Sequence, residues 1–251
     1  MKSAAKFFLF IFCMSLVSFN LPRKKITVWM IGDSTMSVKE VKAYPETGWG
    51  MPFVHFFDSS VSIENRAKNG RSTKTFISEN LWKPVSEKMK EGDYLLIQFG
   101  HNDESKEKVD RYTSPEEYKK NITQFINEAR SKNVTPVLLT PVSRRKFKDG
   151  KQLATHEEYS KLVHELAAEL KVAFIDIDTK SQALYQQIGE EPSKLLFLQL
   201  EPGQHPNYPA GKVDNTHFSE VGARLIAQIV LAEVRRLKLD LADRVVLRPV
   251  K

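Results

Sequence analysis

The amino-acid sequence predicts an α/β fold, a three-layer α/β/α sandwich around a parallel central sheet of about five strands. Three observations predict it. Short apolar runs recur at strand length, at 26–31, 61–65, 94–99, 134–140 and 172–177. Segments with apolar residues at helical spacing lie between them. Strands that alternate with helices in one chain form a parallel sheet covered on both faces.

The elements follow in order. Ile26, Val28, Trp29, Met30 and Ile31 make a buried first strand that runs into Gly32-Asp33-Ser34. Residues 73–90 read as a helix interrupted by Pro84. Ser114-Pro115-Glu116-Glu117 reads as a capping box with proline at the first helical position, ahead of an inward face of Tyr118, Ile122, Phe125, Ile126 and Ala129. Thr155 to Glu158 reads as a second capping box, followed by Tyr159, Leu162, Val163, Leu166 and Leu170. Ser219 opens a last helix with Leu225, Ile226, Ile229 and Val230 inward. These stripes are core rather than cofactor-binding surfaces.

The chain of 251 residues falls within the range of one α/β domain, and no repeat or linker follows residue 25. Residues 21–251 are therefore expected to form a single domain. Residues 1–20 stand apart: Lys2 and Lys6 precede an apolar run from Phe7 to Phe19. That pattern is a secretory signal peptide, too short for a normal membrane span, so no membrane insertion is expected after cleavage. The single cysteine, Cys13, lies inside the run, which excludes disulfides and thiol chemistry from the mature chain. The expected location is secreted or periplasmic, in a bacterium. The formal charge is +7; without Lys2 and Lys6, 36 Lys and Arg stand against 31 Asp and Glu, or +5. The basic residues are interspersed with acids and form no arginine-rich arm, which argues against nucleic acid as a partner. A mild positive field favours an anionic substrate.

In open α/β sheets, chemistry sits in the loops at the carboxyl ends of the strands. Four polar loops qualify: Gly32-Asp33-Ser34, Asn69-Gly70-Arg71-Ser72, Gly100-His101-Asn102-Asp103, and Asp214-Asn215-Thr216-His217-Phe218, read as a loop before the last helix. Taken singly, each is an ordinary turn or cap. A serine hydroxyl needs an adjacent base to act as a nucleophile. His217 supplies one to Ser34, and Asp214 is placed to hold the imidazole tautomer. Gly70 and Ser34 offer backbone N–H groups, and Asn102 a side-chain amide, as donors to an oxyanion. Asp33 is read as structural, bonding within its own turn. His55 is read as a core or interface histidine, His156 and His164 as residues of a polar helix face, and His205 and His101 as residues that line the site. Asp214 and His217 also suit a metal, but no third ligand has a natural place beside them, so no metal and no cofactor are expected.

The ordered set Gly32-Asp33-Ser34, Gly70, Gly100-x-Asn102-Asp103 and Asp214-x-x-His217 resembles the SGNH (GDSL-type) hydrolase superfamily, whose naming residues map to Ser34, Gly70, Asn102 and His217. The match spans the mature chain. Wider wording is similar to the rhamnogalacturonan acetylesterase branch: Asn69-Gly70-Arg71-Ser72-Thr73, Phe99-Gly100-His101-Asn102-Asp103, Thr140-Pro141-Val142-Ser143-Arg144-Arg145, and Thr216-His217-Phe218 with Gly222-Ala223. Some fungal members carry disulfides, which this mature chain lacks.

The resemblance implies a flavodoxin-like fold and a metal-free Ser34–His217–Asp214 esterase that removes acetyl groups from pectic or other plant polysaccharide. It implies an oxyanion hole of Ser34, Gly70 and Asn102. Trp49, Tyr44, Arg144 and His101 are the candidate sugar contacts. Arg71, Lys74, Arg144 and Arg145 are expected to give the site a cationic rim. Two other readings stay open: an acetylxylan or lipid esterase on the same fold, and a carbohydrate-binding domain without activity. The sequence shows no apolar lid, which disfavours the lipid.

Overall fold

A computed structural model of the protein describes residues 23–246. The segment read as a signal peptide, with Cys13, lies outside the described residues. In chain order the strands are β1 (Ile26–Gly32), β2 (Val61–Asn65), β3 (Tyr94–Gln98), β4 (Thr135–Leu139), β5 (Phe147–Lys148), β6 (Lys151–Gln152), β7 (Ala173–Ile175), β8 (Phe197–Leu200) and β9 (Lys212–Phe218). The α-helices are α1 (Gly50–Phe53), α2 (Thr73–Ser78), α3 (Lys83–Lys88), α4 (Pro115–Ser131), α5 (Glu157–Glu169), α6 (Ile177–Ile188) and α7 (Glu220–Arg236).

Five strands form the parallel sheet in the order β2-β1-β3-β4-β7, as expected. Successive side chains of β1 serve opposite faces, as strand geometry requires. Val28 and Met30 pack with Trp49, Phe53, Tyr185, Ile226 and Val230 on one face. Trp29 and Ile31 pack with Phe76, Val85, Phe125 and Val163 on the other. Thus α1, α6 and α7 cover one face, and α2 to α5 the other. Chain order reverses at β1: β2 lies on one side of it and β3 on the other. A crevice opens at such a switch point, and the loops after β1 and β3 flank it.

Ser114 caps α4 by accepting the Glu117 N–H at 3.2 Å, with Pro115 first in the helix. Pro84 falls in the first turn of α3, so residues 73–90 are two helices rather than one interrupted helix. Of the first capping box only the Ser114 half forms, and the second does not form at all. His156 holds the N-cap position of α5, while the Thr155 hydroxyl accepts the Arg144 N–H at 2.9 Å. A reciprocal box appears instead at Ser72 and Thr75 of α2. The run 172–177 is shorter as a strand than expected, because Asp176 caps α6 by accepting the Thr179 N–H. Asp214 to Phe218 is not a loop. It belongs to β9, which pairs antiparallel with β8 as a ribbon separate from the main sheet. Its polar sequence KVDNTHF has no apolar run and so gave no strand signal.

Candidate active site

The site is built from the ends of β1, β2 and β3 and from β9. At Gly32 the β1 backbone runs so close to β3 that a Cβ there would stand 2.5 Å from the Gln98 carbonyl oxygen. Beyond it, the buried Asp33 carboxylate accepts the Thr35 N–H at 2.9 Å and the Thr35 hydroxyl at 2.8 Å. These bonds close the turn that presents Ser34. His101 Nδ1 lies 3.2 Å from the other oxygen of Asp33, so the structural reading of Asp33 agrees with the geometry.

The Ser34 hydroxyl donates to His217 Nε2 at 2.8 Å, and His217 Nδ1 donates to Asp214 Oδ2 at 2.9 Å. Asp214 Oδ1 accepts the N–H groups of Thr216 (2.8 Å) and His217 (2.9 Å). Burial alone would raise the Asp214 pKa, but the His217 ring and these two N–H groups outweigh it and hold the carboxyl well below the usual range. The ribbon that carries both residues is docked by the segment after β4. Arg145 N–H donates to the Asn215 carbonyl (2.8 Å), and the Arg144 guanidinium to the Thr216 hydroxyl (2.7 Å). Ser34, Asp214 and His217, 180 or more positions apart in sequence at their extremes, thus meet in one hydrogen-bonded line.

Gly70 and Asn102 reach the same place. Gly70 adopts φ +73°, a left-handed conformation that glycine takes without steric cost. Asn102 Nδ2 donates one hydrogen to the Arg71 carbonyl at 3.0 Å, which leaves its second N–H for a ligand. Arg111 donates to Asn102 Oδ1 at 3.2 Å and so fixes which way the amide points. Asp103, behind Asn102, accepts the Thr73 N–H (2.8 Å) and hydroxyl (2.7 Å), and this ties the loop after β3 to the loop after β2. Ser34, Gly70, Asn102 and His217 line one cavity of about 300 Å³. The arrangement brings a serine hydroxyl, an imidazole bonded to a carboxylate, and the Asn102 amide to one cavity, groups of the kind that acyl transfer uses.

Lys39 gave no signal in the sequence. Its side chain is fully buried against Glu46 at 2.6 Å. Its ammonium also donates to the Ser34 carbonyl and, at 2.9 Å, to Asn69 Oδ1. One cation therefore ties the serine turn to the Gly70 turn.

The other candidates divide. Arg144 and His101 line the cavity. Trp49 does not: it is fully buried, edge-on to Phe53 at 5.7 Å, and its indole N–H donates to Gln98. The two small glycines beside it, Gly48 and Gly50, reflect tight backbone packing against Met36 and Ser37 rather than an exposed sugar platform. Tyr44 and His205 line a neighbouring groove instead, together with His55, which is exposed rather than in the core. His156 is buried, not on a polar helix face, with Nδ1 2.9 Å from Glu104. His164 stands half-exposed beside Asp176 at 3.1 Å. Of the expected cationic rim only Arg144 lines the cavity. Arg71 pairs with Glu79 at 2.8 Å, Lys74 lies outside the cavity wall, and Arg145 is buried against Ser193 and Asn215. Lys108 and Arg111 take that place.

Two buried groups behind the site make stability depend on pH in opposite senses. Burial, with the neighbouring His156, pushes His101 down to about 4, so the unfolded chain binds more protons and stability rises with pH from about 4 to 6.5. Burial pushes Asp103 up to about 7, against its bonds to Thr73, so the folded chain binds more protons and stability falls as pH rises from 3.8 to about 7. Asp33, held at about 2 by His101 and Thr35 against its burial, adds a loss below 3.8. Asp103→Asn keeps an oxygen for Thr73 and removes the titration. Denaturant unfolding of this variant should show stability climbing more steeply between pH 4 and 6.5 than in the wild type. An unchanged slope would mean that Asp103 is ionised in the fold.

Residues 30–225 match the family model described as the GDSL-like Lipase/Acylhydrolase family. The chain belongs to that family. Within it, the chain is 41% identical over 227 residues to rhamnogalacturonan acetylesterase RhgT of Bacillus subtilis (strain 168), covering 90% of this chain and 97% of the relative. It is 34% identical to the probable rhamnogalacturonan acetylesterase YesY of the same organism, covering 87% and 97%. Among solved structures, the family fold recurs in YxiM of Bacillus subtilis, with a TM-score of 0.73 at 24% identity, covering 86% of this chain and 58% of that longer one. It recurs also in an acetylxylan esterase of Geobacillus stearothermophilus, a catalytic mutant, with a TM-score of 0.59 at 15% identity, covering 84% and 94%.

Proposed function

We propose that this protein is an acetylesterase that removes acetyl groups from pectic rhamnogalacturonan outside the cytoplasm, in the periplasm or the medium, with Ser34, His217 and Asp214 as its catalytic triad. The observation that carries the chemistry is the unbroken line from the Ser34 hydroxyl through His217 to Asp214, 2.8 Å and 2.9 Å long. The identity to RhgT supports the substrate, and the N-terminal segment read as a signal peptide supports the location.

Ser34 Oγ attacks the acetyl carbonyl carbon as His217 Nε2 takes its proton. The carbonyl electron pair moves onto oxygen, where the N–H groups of Ser34, Gly70 and Asn102 receive it. When the tetrahedral carbon collapses, the C–O bond to the sugar breaks and His217 returns the proton to the departing hydroxyl. Water then attacks the acetyl-enzyme by the same route, which frees acetate and restores Ser34. Asp214, ionised throughout, stabilises the imidazolium formed in each half-reaction.

The test is acetate release from acetylated rhamnogalacturonan and from acetylated xylan at matched acetyl concentration. The pectic polymer should be favoured by about tenfold or more in kcat/KM, the size that one charge-assisted contact supplies. Preference for xylan would make this an acetylxylan esterase with the same triad. Turnover of long-chain lipid esters above either polymer would overturn the carbohydrate reading.

A further inference from the structure

The cavity that holds Ser34 and His217 is lined by three cations, Lys108, Arg111 and Arg144, and by one carboxylate, Glu46. That carboxylate is engaged by Lys39 at 2.6 Å. Arg144 is also engaged, by Glu104 at 3.5 Å and by the Thr216 hydroxyl at 2.7 Å. Lys108 and Arg111 differ from it. Among the described residues neither has a carboxylate within ion-pair distance.

The two cations come from one turn, in which the Arg111 N–H donates to the Lys108 carbonyl at 2.9 Å. Lys108 is exposed at the mouth. Arg111 reaches inward: its Nη1 donates to Asn102 Oδ1 at 3.2 Å and lies 3.4 Å from where a Cβ on Gly70 would stand. Its guanidinium therefore sits beside the oxyanion donors, and its Nε is buried with no hydrogen-bond partner. A guanidinium part-buried without an anion is costly, and its planar fork matches a carboxylate with two parallel bonds. The expected +1 from Lys108 at the rim adds attraction that salt screens.

We propose that Arg111 and Lys108 form a subsite for the carboxylate of a uronate residue, which seats the acetylated sugar with its ester at Ser34. The proposal rests on the polysaccharide acetylesterase reading above and names the group on the polymer that the site recognises. Arg111 binds the carboxylate and Lys108 draws it in. The pairing makes charge on the substrate a determinant of specificity, separate from the acetyl group that reacts.

Two measurements test it. The first compares kcat/KM on acetylated rhamnogalacturonan oligosaccharides with kcat/KM on the same oligosaccharides after reduction of their carboxylates to alcohols. The wild-type ratio should be about tenfold or more and should shrink with added salt. Lys108→Gln and Arg111→Gln should each lower that ratio, and the double variant should bring it near one. A wild-type ratio near one overturns the subsite, as does an Arg111→Gln variant that loses activity equally on both substrates, which would confine Arg111 to holding Asn102. The second measures competitive inhibition of a neutral chromogenic acetate by digalacturonate. Inhibition should be weaker by about tenfold in Arg111→Gln and weaker still with the carboxyl-reduced disaccharide; equal inhibition in all cases overturns the proposal. If rhamnogalacturonan releases no acetate but digalacturonate inhibits in this Arg111-dependent way, the substrate reading fails and the subsite stands. If acetate is released equally from charged and reduced polymer, the reverse holds.

Discussion

Ser34→Ala should lower kcat on a chromogenic acetyl ester by about 10⁶-fold, the loss typical of removing a serine nucleophile whose partners act as a unit. What remains should be the small acceleration that the oxyanion donors alone provide. The fold should be little affected. The hydroxyl deleted donates only to His217, while the turn itself is held by Asp33 and Thr35 and by the Ser34 carbonyl bonded to Ser37 and Lys39. Thermal unfolding should therefore shift by no more than a surface substitution does, about 0.5 kcal/mol or less. The same variant incubated with ester should carry no acetyl group by intact mass, whereas wild-type protein quenched during turnover should carry one on Ser34. Activity within tenfold of wild type, or an acetyl group trapped on another residue, would remove Ser34 from the mechanism.

Asp214→Asn should cost about 10⁴-fold in kcat with KM little changed, because it inverts the imidazole tautomer rather than removing a contact to substrate. The local geometry determines how. Asp214 Oδ1 accepts two backbone N–H groups, from Thr216 and His217. An asparagine must keep its oxygen there to satisfy both, which turns its NH₂ toward His217 Nδ1. The ring then accepts at Nδ1 and carries its proton on Nε2, where it meets the Ser34 hydroxyl as a donor and not as a base. Asp214→Ala should be as slow but less stable, since it leaves the two N–H groups without their acceptor. Rates within tenfold of wild type for Asp214→Asn would show that tautomer control is not what Asp214 supplies.

The sheet and three of the four chemical loops were legible because each rests on a local signal. β1, β3 and β4 are apolar runs of strand length, and Ser34, Gly70 and Asn102 follow strand ends where an open sheet exposes its loops. Asp214 and His217 were legible as residue types at a spacing, yet their backbone was not, since β9 is polar and exists through its pairing with β8. Trp49 was misread for a related reason. Flanking glycines suggested an open aromatic face, but they serve a close approach of Gly48 and Gly50 to the backbone of Met36 and Ser37, a long-range fact. Lys39, Lys108 and Arg111 lie in charged stretches that look like solvated surface. Only the tertiary structure distinguishes the lysine buried against Glu46, and the two cations turned toward the cavity, from their neighbours.

The placement of His217 on a ribbon outside the main sheet has a consequence for heat inactivation. A two-stranded antiparallel ribbon is marginal by itself, and β8–β9 is held by docking: Thr47 to Phe218, Arg145 to Asn215, and Asn207 to the carbonyls of Val41 and Tyr44. Opening of that ribbon leaves the five-stranded sheet and the layer of α2 to α5 intact, takes Phe197 and Phe218 out of the other layer, and carries His217 and Asp214 away from Ser34 together. Local opening of this kind requires less free energy than global unfolding. Activity should accordingly be lost on heating before the main sheet unfolds, with Ser34 still seated at the end of β1 and His217 withdrawn from it; activity and circular dichroism followed along one heating ramp check the order.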